Sequence, residues 1–405
     1  MGSWRNLLVA QAGGATAVIN SSLVGVVEAA LESGRFRAVI GARRGIEGVL
    51  RQDFVDLGAQ PRELLQHVAR TPSAALGVTR LRLSSETTQL ALEILARYEV
   101  GAFVYIGGND SAETALRLAS AARRAGHPLQ VVVVPKTIDN DLPATDHCPG
   151  YGSIARFLAL ATRDAGLDTE ATAGLYPVKL IEVMGRNAGW VAASTALAQA
   201  AAGDAPHLIF FPERPPASLD AFLEEIAVTY DRFGRVVAVV PETLRDAQGR
   251  PLGGEQAQWV DPFGHPYYPG PVPALAQAIE RRLRLRARYD KPGTIARMFM
   301  SCVSPVDWQE AYDAGRTAVA LLAEGASEVM VSLERISDDP YRVRFGTAPL
   351  TAVANRERRL PDEFIGPDGR SVSQAFRRYA MPLIGEPLPP YARLQALPFR
   401  PQSTT

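Results

Sequence analysis

At roughly 150 residues per domain, a chain of 405 residues predicts two or three domains. Its 43 Lys+Arg balance 43 Asp+Glu, and a net charge of zero excludes a protein drawn as a whole to nucleic acid or an anionic membrane. Two cysteines, Cys148 and Cys302, make no disulfide framework, so a reducing cytoplasm is the expected compartment.

The N-terminus MGSWRNLLVAQAGG lacks the basic region, long apolar run and cleavage site of a signal peptide. LLVA (7–10) reads as a first strand, followed by a helix from Val18 to Leu31 that ends before Gly34. AFVYI (102–106) is a second strand, with a helix from about Ser111 to Gly126, and VVVV (131–134) is a third. KLIEV (179–183), HLIFF (207–211), VVAVV (236–240) and EVMVSL (328–333) continue the series. Short apolar strands separated by helical patterns predict parallel α/β units buried on both faces. The stretch from Asn187 to Gly203 predicts a buried helix, being too short of strongly apolar residues to span a membrane. The segments 212–216, 261–273 and 386–390 read as loops, and the tail from about Gln395 as frayed.

Three strands run into Gly-rich or acidic loops: QAGGATAVIN (11–20), GGNDS (107–111) and PKTIDND (135–141). Ligands bind at the carboxyl ends of strands in open α/β sheets, so these loops are expected to converge on one crevice. Gly13-Gly14 either makes a tight strand-to-helix turn or lets backbone N–H groups approach a phosphate. In GGNDS, Asp110 or Ser111 either caps a helix or binds metal or phosphate. In PKTIDND, Asp139 and Asp141 stand two apart at a strand end, flanked by Thr137 and Asn140. One carboxylate can take a proton from a hydroxyl while the other orients it or a metal; the alternative is an Asx-rich turn. Lys136 is one of only three lysines, beside Lys179 and Lys291, so a compact ammonium is unusual here and suited to phosphate. In MGRNAGW (184–190), Gly185 permits close approach and Arg186 can grip a phosphate, or form a structural salt bridge. The five histidines show no metal spacing, and there is no GxxxxGK[ST] or GxSxG, which argues against a zinc site, a P-loop and a nucleophile elbow.

Taken in order, GG (13–14), GGNDS, PKTIDND, MGR (184–186), Glu242 and GTIAR (293–297) resemble the 6-phosphofructokinases over roughly residues 7–316. TAVANRERRLPDEF and YAMPLIGEPLP resemble the pyrophosphate-dependent bacterial branch of that family. The resemblance implies two Rossmann-like α/β domains with mainly parallel sheets and the active site in the cleft between them. Residues 1–145 would form a donor-binding domain, joined by a returning segment near 298–350, and 146–405 a sugar-phosphate domain with a C-terminal extension. It implies transfer of a phosphoryl group from pyrophosphate to the 1-hydroxyl of fructose 6-phosphate, with Mg²⁺, in a cytoplasmic homodimer or homotetramer.

Carried over by position, Asp139 is the base, with Lys136 and Asp141 also catalytic. Gly13, Gly14, Arg80, Gly108, Asp110 and Ser111 face the donor. Thr137, Ile138, Met184, Gly185, Arg186, Glu242 and Arg297 hold the sugar phosphate, with Arg288 and Tyr289 completing the set, Arg288 across a subunit interface. Asp110 and Lys136 stand where ATP-using relatives have glycine, Lys136 less strictly, which points to pyrophosphate. Asn109 replaces the family's usual metal carboxylate, so Asn109, Asp110 or water is the expected metal contact. Thr294 replaces a family histidine, and Pro177 replaces an arginine for which Lys179 is the candidate substitute. Competing readings are an ATP-dependent sugar-phosphate kinase of the same fold, another kinase with a GGDG-type loop, and a sugar-phosphate-binding module without chemistry.

Overall fold

The computed structural model describes residues 6–252, 259–260, 266–267, 270–395 and 397–398. Its strands in chain order are β1 (Asn6–Gln11), β2 (Val39–Ala42), β3 (Phe54–Asp56), β4 (Val100–Gly107), β5 (Gln130–Pro135), β6 (Val178–Val183), β7 (Leu208–Ile209), β8 (Val236–Pro241), β9 (Trp259–Val260), β10 (Pro266–Tyr267), β11 (Ala287–Asp290), β12 (Val329–Asp338) and β13 (Tyr341–Pro349). Seven strands form one sheet in the order β13-β12-β5-β4-β1-β2-β3, and four form a second in the order β11-β6-β8-β7. The inner strands of the first sheet and all of the second pair in parallel; only β13 and β3, at the edges of the first, are antiparallel. β9 and β10 make a separate small hairpin.

The strand sequences explain this arrangement. NLLVAQ, VKLIEV and VVAVVP are buried along their whole length. Their side chains alternate between two faces, and each face is covered by helices. Leu8, Phe103 and Val133 pack on one side of the first sheet, and Leu7, Val104 and Val132 on the other. In the second sheet Ile181 and Val239 face one core, Leu180 and Ala238 the opposite one. The helix over Ile19–Ser33 ends where Gly34 adopts φ 59°, as the sequence predicts. It crosses the returning helix Pro305–Ala323 at Gly25 and Gly315, where a Cβ would strike the other helix's backbone, at Tyr312 O and Ser22 O respectively.

Five expectations are corrected. Asn187–Gly203 is buried but holds only a short helix, Trp190–Ser194, continued as a 3₁₀ turn to Ala198. The Ser194 and Thr195 hydroxyls donate to carbonyls three residues back, at Val191 and Ala192, which favours this tighter winding. HLIFF contributes only Leu208–Ile209 to the sheet. The run from 328 extends to Asp338 and turns into β13, an alternating strand on the sheet edge that periodicity over short apolar runs overlooks. The helix after GGNDS begins at Asn109 with Gly108 as its cap, so neither Asp110 nor Ser111 is the N-cap; both lie in the first turn. Of the loop expected at 261–273, residues 272 and 273 begin the helix Val272–Leu283, while 261–265 and 268–269 lie outside the described residues. So do residues 396 and 399–405 of the expected tail. Among the described residues, no helix is long and apolar enough to cross a membrane.

Candidate active site

The loops that leave β1, β4 and β5 meet those that leave β6 and β8 around a cleft of about 350 Å³. It is built at the carboxyl ends of parallel strands, where helix N-termini and irregular backbone leave polar groups unengaged by the sheet. Gly13, Gly14, Arg80, Gly108, Asn109, Asp110 and Ser111 line it from the first sheet's side, with Lys136, Thr137, Ile138, Asp139 and Asp141 along the β5 loop. Met184, Arg186, Glu242 and Arg297 line the opposite side. Sixteen residues proposed for the site from sequence are thus brought together.

Close approach requires the two glycines. Gly13 has φ +76°, and a Cβ there would stand 2.9 Å from Lys136 Nζ. A Cβ on Gly14 would stand 2.5 Å from Arg297 Nη1. The β1 loop is therefore pressed against one cation from the β5 loop and one from the other side of the cleft. Gly107 precedes it in kind: a Cβ there would overlap the Ser111 hydroxyl, so the strand can turn directly into the helix.

The β5 loop is shaped by Thr137. Its hydroxyl accepts the Asp139 N–H (3.1 Å) and donates to Asp141 Oδ1 (3.2 Å), so one side chain fixes the backbone of Asp139 and the carboxylate of Asp141. Asn140 between them is left-handed, with φ +54°. The turn is thus Asx-rich, as one reading of the sequence held, and also presents two carboxylates to the cleft.

Burial raises the carboxyl of Asp139 above the ordinary range, and Glu242 adds repulsion; Arg186, Lys136 and Arg297 oppose the shift. Asp141 is raised by burial, then by Asp139 and Glu357. Glu242 is itself raised by burial, against the pull of Arg186. Lys136, 3% exposed, is pushed down to about 8 by desolvation and by Arg297, while Asp139 and Asp141 hold its proton on. The site is therefore a set of acids and bases poised close to neutrality, the condition under which proton transfer works best.

Three proposed residues lie elsewhere. Gly185 does not line the cleft; with φ +105° and a would-be Cβ 3.1 Å from Ala188 O, it makes the turn that lets Met184 and Arg186 reach it. Arg288 and Tyr289 are on the exposed edge strand β11, where the Arg288 guanidinium lies 3.6 Å from the Tyr176 ring centroid and Tyr289 is 45% exposed. Lys179, the register partner of Arg288, is buried and ion-paired at 2.9 Å to Asp290, outside the cleft. It does not replace the missing arginine within this chain's own cleft. Thr294 lines the cleft. The sequence reading missed Thr79, Leu81, Tyr105, Thr114, Asn187, Ala188 and Glu357 among the lining residues. Asn187 sits beside Arg186 and was within reach of the motif. Glu357, which accepts from Asn187 Nδ2 at 3.0 Å, lies in the TAVANRERRLPDEF segment, which the resemblance marked without assigning it a site residue.

A hard cation would find the amide oxygen of Asn109 and the carboxylate of Asp110 at the helix start. Asn109 Oδ1 already accepts the Asp110 N–H at 2.7 Å. Among the described residues no group of three or more His, Cys, Asp or Glu side chains is arranged to hold a metal alone. The donor set therefore fits a magnesium ion carried mainly by substrate phosphates and water, with one or two protein oxygens.

Comparison with known proteins agrees with this geometry. Residues 6–322 match the phosphofructokinase family model. The pyrophosphate–fructose 6-phosphate 1-phosphotransferase of Xanthomonas campestris is 39% identical over 94% of this chain and 91% of its own, and that of Methylococcus capsulatus 38% identical over 96% and 94%. The crystal structure of a pyrophosphate-dependent phosphofructokinase from Nitrosospira multiformis superposes with a TM-score of 0.86 at 34% identity, over 97% of this chain and 95% of that one. The β1, β4 and β5 loops, their shared cleft and these end-to-end similarities lead to one conclusion: the chain belongs to the phosphofructokinase family.

Proposed function

We propose that this enzyme moves a phosphoryl group from pyrophosphate to the 1-hydroxyl of fructose 6-phosphate, giving fructose 1,6-bisphosphate and phosphate. The observation that carries the reading is the close approach of Gly13, with no room for a Cβ, to Lys136 Nζ, on the same loop as Asp139, in one cleft. Gly13, Gly14 and the start of the helix at Asn109 offer backbone N–H groups to the donor. Arg186 and Arg297 stand opposite for the sugar phosphate, and Glu242 accepts a sugar hydroxyl.

Asp139 takes the proton of the 1-hydroxyl as that oxygen forms its bond to phosphorus. The bond to the leaving phosphate breaks, and Lys136 neutralises charge on the phosphoryl group in flight. A carboxyl raised by burial to about 6 is a stronger base than an exposed one and is populated in both protonation states near neutrality, which suits a reaction run in both directions. Magnesium bound with the donor would neutralise its phosphate oxygens next to Asn109 and Asp110. Asp110 puts a negative side chain at the donor end, where the extra α-phosphate of a nucleotide would be repelled. Residues 1–145 with the strands returned at 329–349 serve the donor, and 146–405 otherwise serve the sugar. Arg288, with Lys179 beside it on the neighbouring strand, serves the 6-phosphate site of a second subunit in a homo-oligomer.

The test is phosphate-dependent turnover. The purified protein with fructose 6-phosphate, Mg²⁺ and pyrophosphate is expected to form the bisphosphate, and to regenerate pyrophosphate from bisphosphate and phosphate. Faster turnover with ATP than with pyrophosphate would overturn the donor assignment. Asp139→Asn is expected to lower kcat by about 10²–10⁴-fold while leaving fructose 6-phosphate affinity intact.

A further inference from the structure

We propose that Arg358, together with Tyr379, is a positioning residue that holds Asp139 and Asp141 in reacting geometry from a segment outside both sheets. The inference rests on the phosphotransferase reading above.

Asn140 is the residue between the two carboxylates, and it is fully buried while they face the cleft. Asn140 holds a left-handed φ of +54°, a conformation open to asparagine, and its surroundings fix it there. The surroundings come chiefly from the C-terminal segment that follows β13. Arg358 Nη2 donates to the Asn140 carbonyl at 2.8 Å, and the Arg358 N–H donates to the Asp141 carbonyl at 2.6 Å. Arg358 Nη1 donates at 2.7 Å to the carbonyls of both Thr145 and Asp146, where the loop leaves the cleft. The Asn140 side chain is tied as well. Its Nδ2 donates to the Tyr379 hydroxyl at 2.8 Å, and its Oδ1 accepts the Cys148 N–H at 2.9 Å. Tyr379 in turn donates to the Asp146 carbonyl at 2.9 Å.

The anchor itself is fixed. The Arg358 guanidinium lies 4.5 Å from the Trp190 ring centroid, and Trp190 Nε1 donates to the Arg358 carbonyl at 3.0 Å. Leu360, Phe376 and Tyr379 pack with Trp190 in a core on the second sheet. The reacting loop leaves β5 of the first sheet, so Arg358 ties catalytic groups from one sheet to the core of the other. A planar fork reaching three carbonyls is something a lysine ammonium cannot reproduce.

The experiment is a double-mutant cycle on the full-length enzyme, measuring kcat, both KM values and Tm for Asp139→Asn, Arg358→Ala and the pair, with Arg358→Lys and Tyr379→Phe beside them. Misplacing a reacting group by about 1 Å costs up to 10²-fold in rate. Arg358→Ala is expected to lower kcat at least tenfold, well below its melting temperature, with KM for fructose 6-phosphate within about twofold. In the Asp139→Asn background the same change is expected to cost clearly less than in the wild type, because one of the two carboxylates it positions is already gone. Arg358→Lys is expected not to rescue. Should Arg358→Ala fail to fold, Tyr379→Phe keeps the ring and removes only the hydroxyl, with a several-fold loss of kcat expected. Wild-type kcat in folded Arg358→Ala or Tyr379→Phe, rescue by lysine, or additive losses in the pair would overturn the inference while leaving the phosphotransferase reading intact. Wild-type turnover in Asp139→Asn would overturn both.

Discussion

Gly13→Ala is the smallest change that reaches the chemistry. The native φ of +76° is open to glycine and costs an L-residue roughly 1–2 kcal/mol. The added methyl would stand 2.9 Å from Lys136 Nζ, whereas non-bonded heavy atoms settle at about 3.5–4.0 Å. Either the loop or the ammonium must retreat by about 0.6–1 Å. Lys136 is 3% exposed and lines the cleft, so its retreat displaces a charge placed for the transferring phosphoryl group. A displacement of that size costs up to about 10²-fold in rate. We expect kcat/KM for pyrophosphate to fall by about 10–10²-fold, with fructose 6-phosphate affinity nearly unchanged. In a chain of 405 residues the strain lowers Tm by only a few degrees, so calorimetry separates the two effects. Coupled detection of phosphate release across a pyrophosphate titration is the assay. Wild-type kcat/KM in the folded variant would refute the placement of Gly13 and Lys136 against the donor.

Glu242→Gln removes a negative charge that raises Asp139, so the base should ionise at lower pH and the acid limb of kcat/KM should move down relative to wild type. The basic limb stays near 8, where Lys136 loses its proton; substrate phosphates titrate equally in both proteins, and an acid limb that stays put or moves up contradicts the coupling. Asp110→Gly is expected to admit ATP weakly, and together with Lys136→Gly more strongly. Lys136→Gly alone should cost on the order of 3 kcal/mol of transition-state stabilisation with pyrophosphate, and a donor ratio that is flat across the four proteins sinks the assignment. Mixing and reassociating Asp139→Asn with Arg288→Ala subunits should restore about a quarter of wild-type activity, since half the dimers are hybrids with one intact site each. No recovery on mixing, with hybrids confirmed by native mass spectrometry, would show that Arg288 serves no neighbouring site.

The order of strands and the loops that bear the chemistry are local in origin, and the sequence by itself determined them. VVVV is too short and too apolar for anything but a doubly covered strand, and a Gly-rich or acidic loop after such a strand has one place to go, the end of the sheet. That is why Gly13, Lys136 and Asp139 could be brought to one cleft from their places at strand ends, whereas Arg186 came to it through the family resemblance. Where local and tertiary forces competed, the sequence misled: β13 alternates apolar with charged residues and so holds no apolar run to mark it, and buried hydroxyls tightened a helix that alanine content favours.

Only the tertiary structure decided the rest. Asn140 reads as one more turn residue until Arg358 and Tyr379, more than 200 positions away, are seen to hold it. Glu357 sits in a C-terminal segment whose residue types name no chemistry, yet it lies in the cleft and lifts Asp141. Proton affinities near neutrality likewise belong to no residue type, because burial and the facing charges of Glu242, Arg186 and Arg297 set them. Spacing along a chain encodes what neighbours in sequence can do, whereas desolvation and contacts across hundreds of residues exist only once the two sheets have closed on one another.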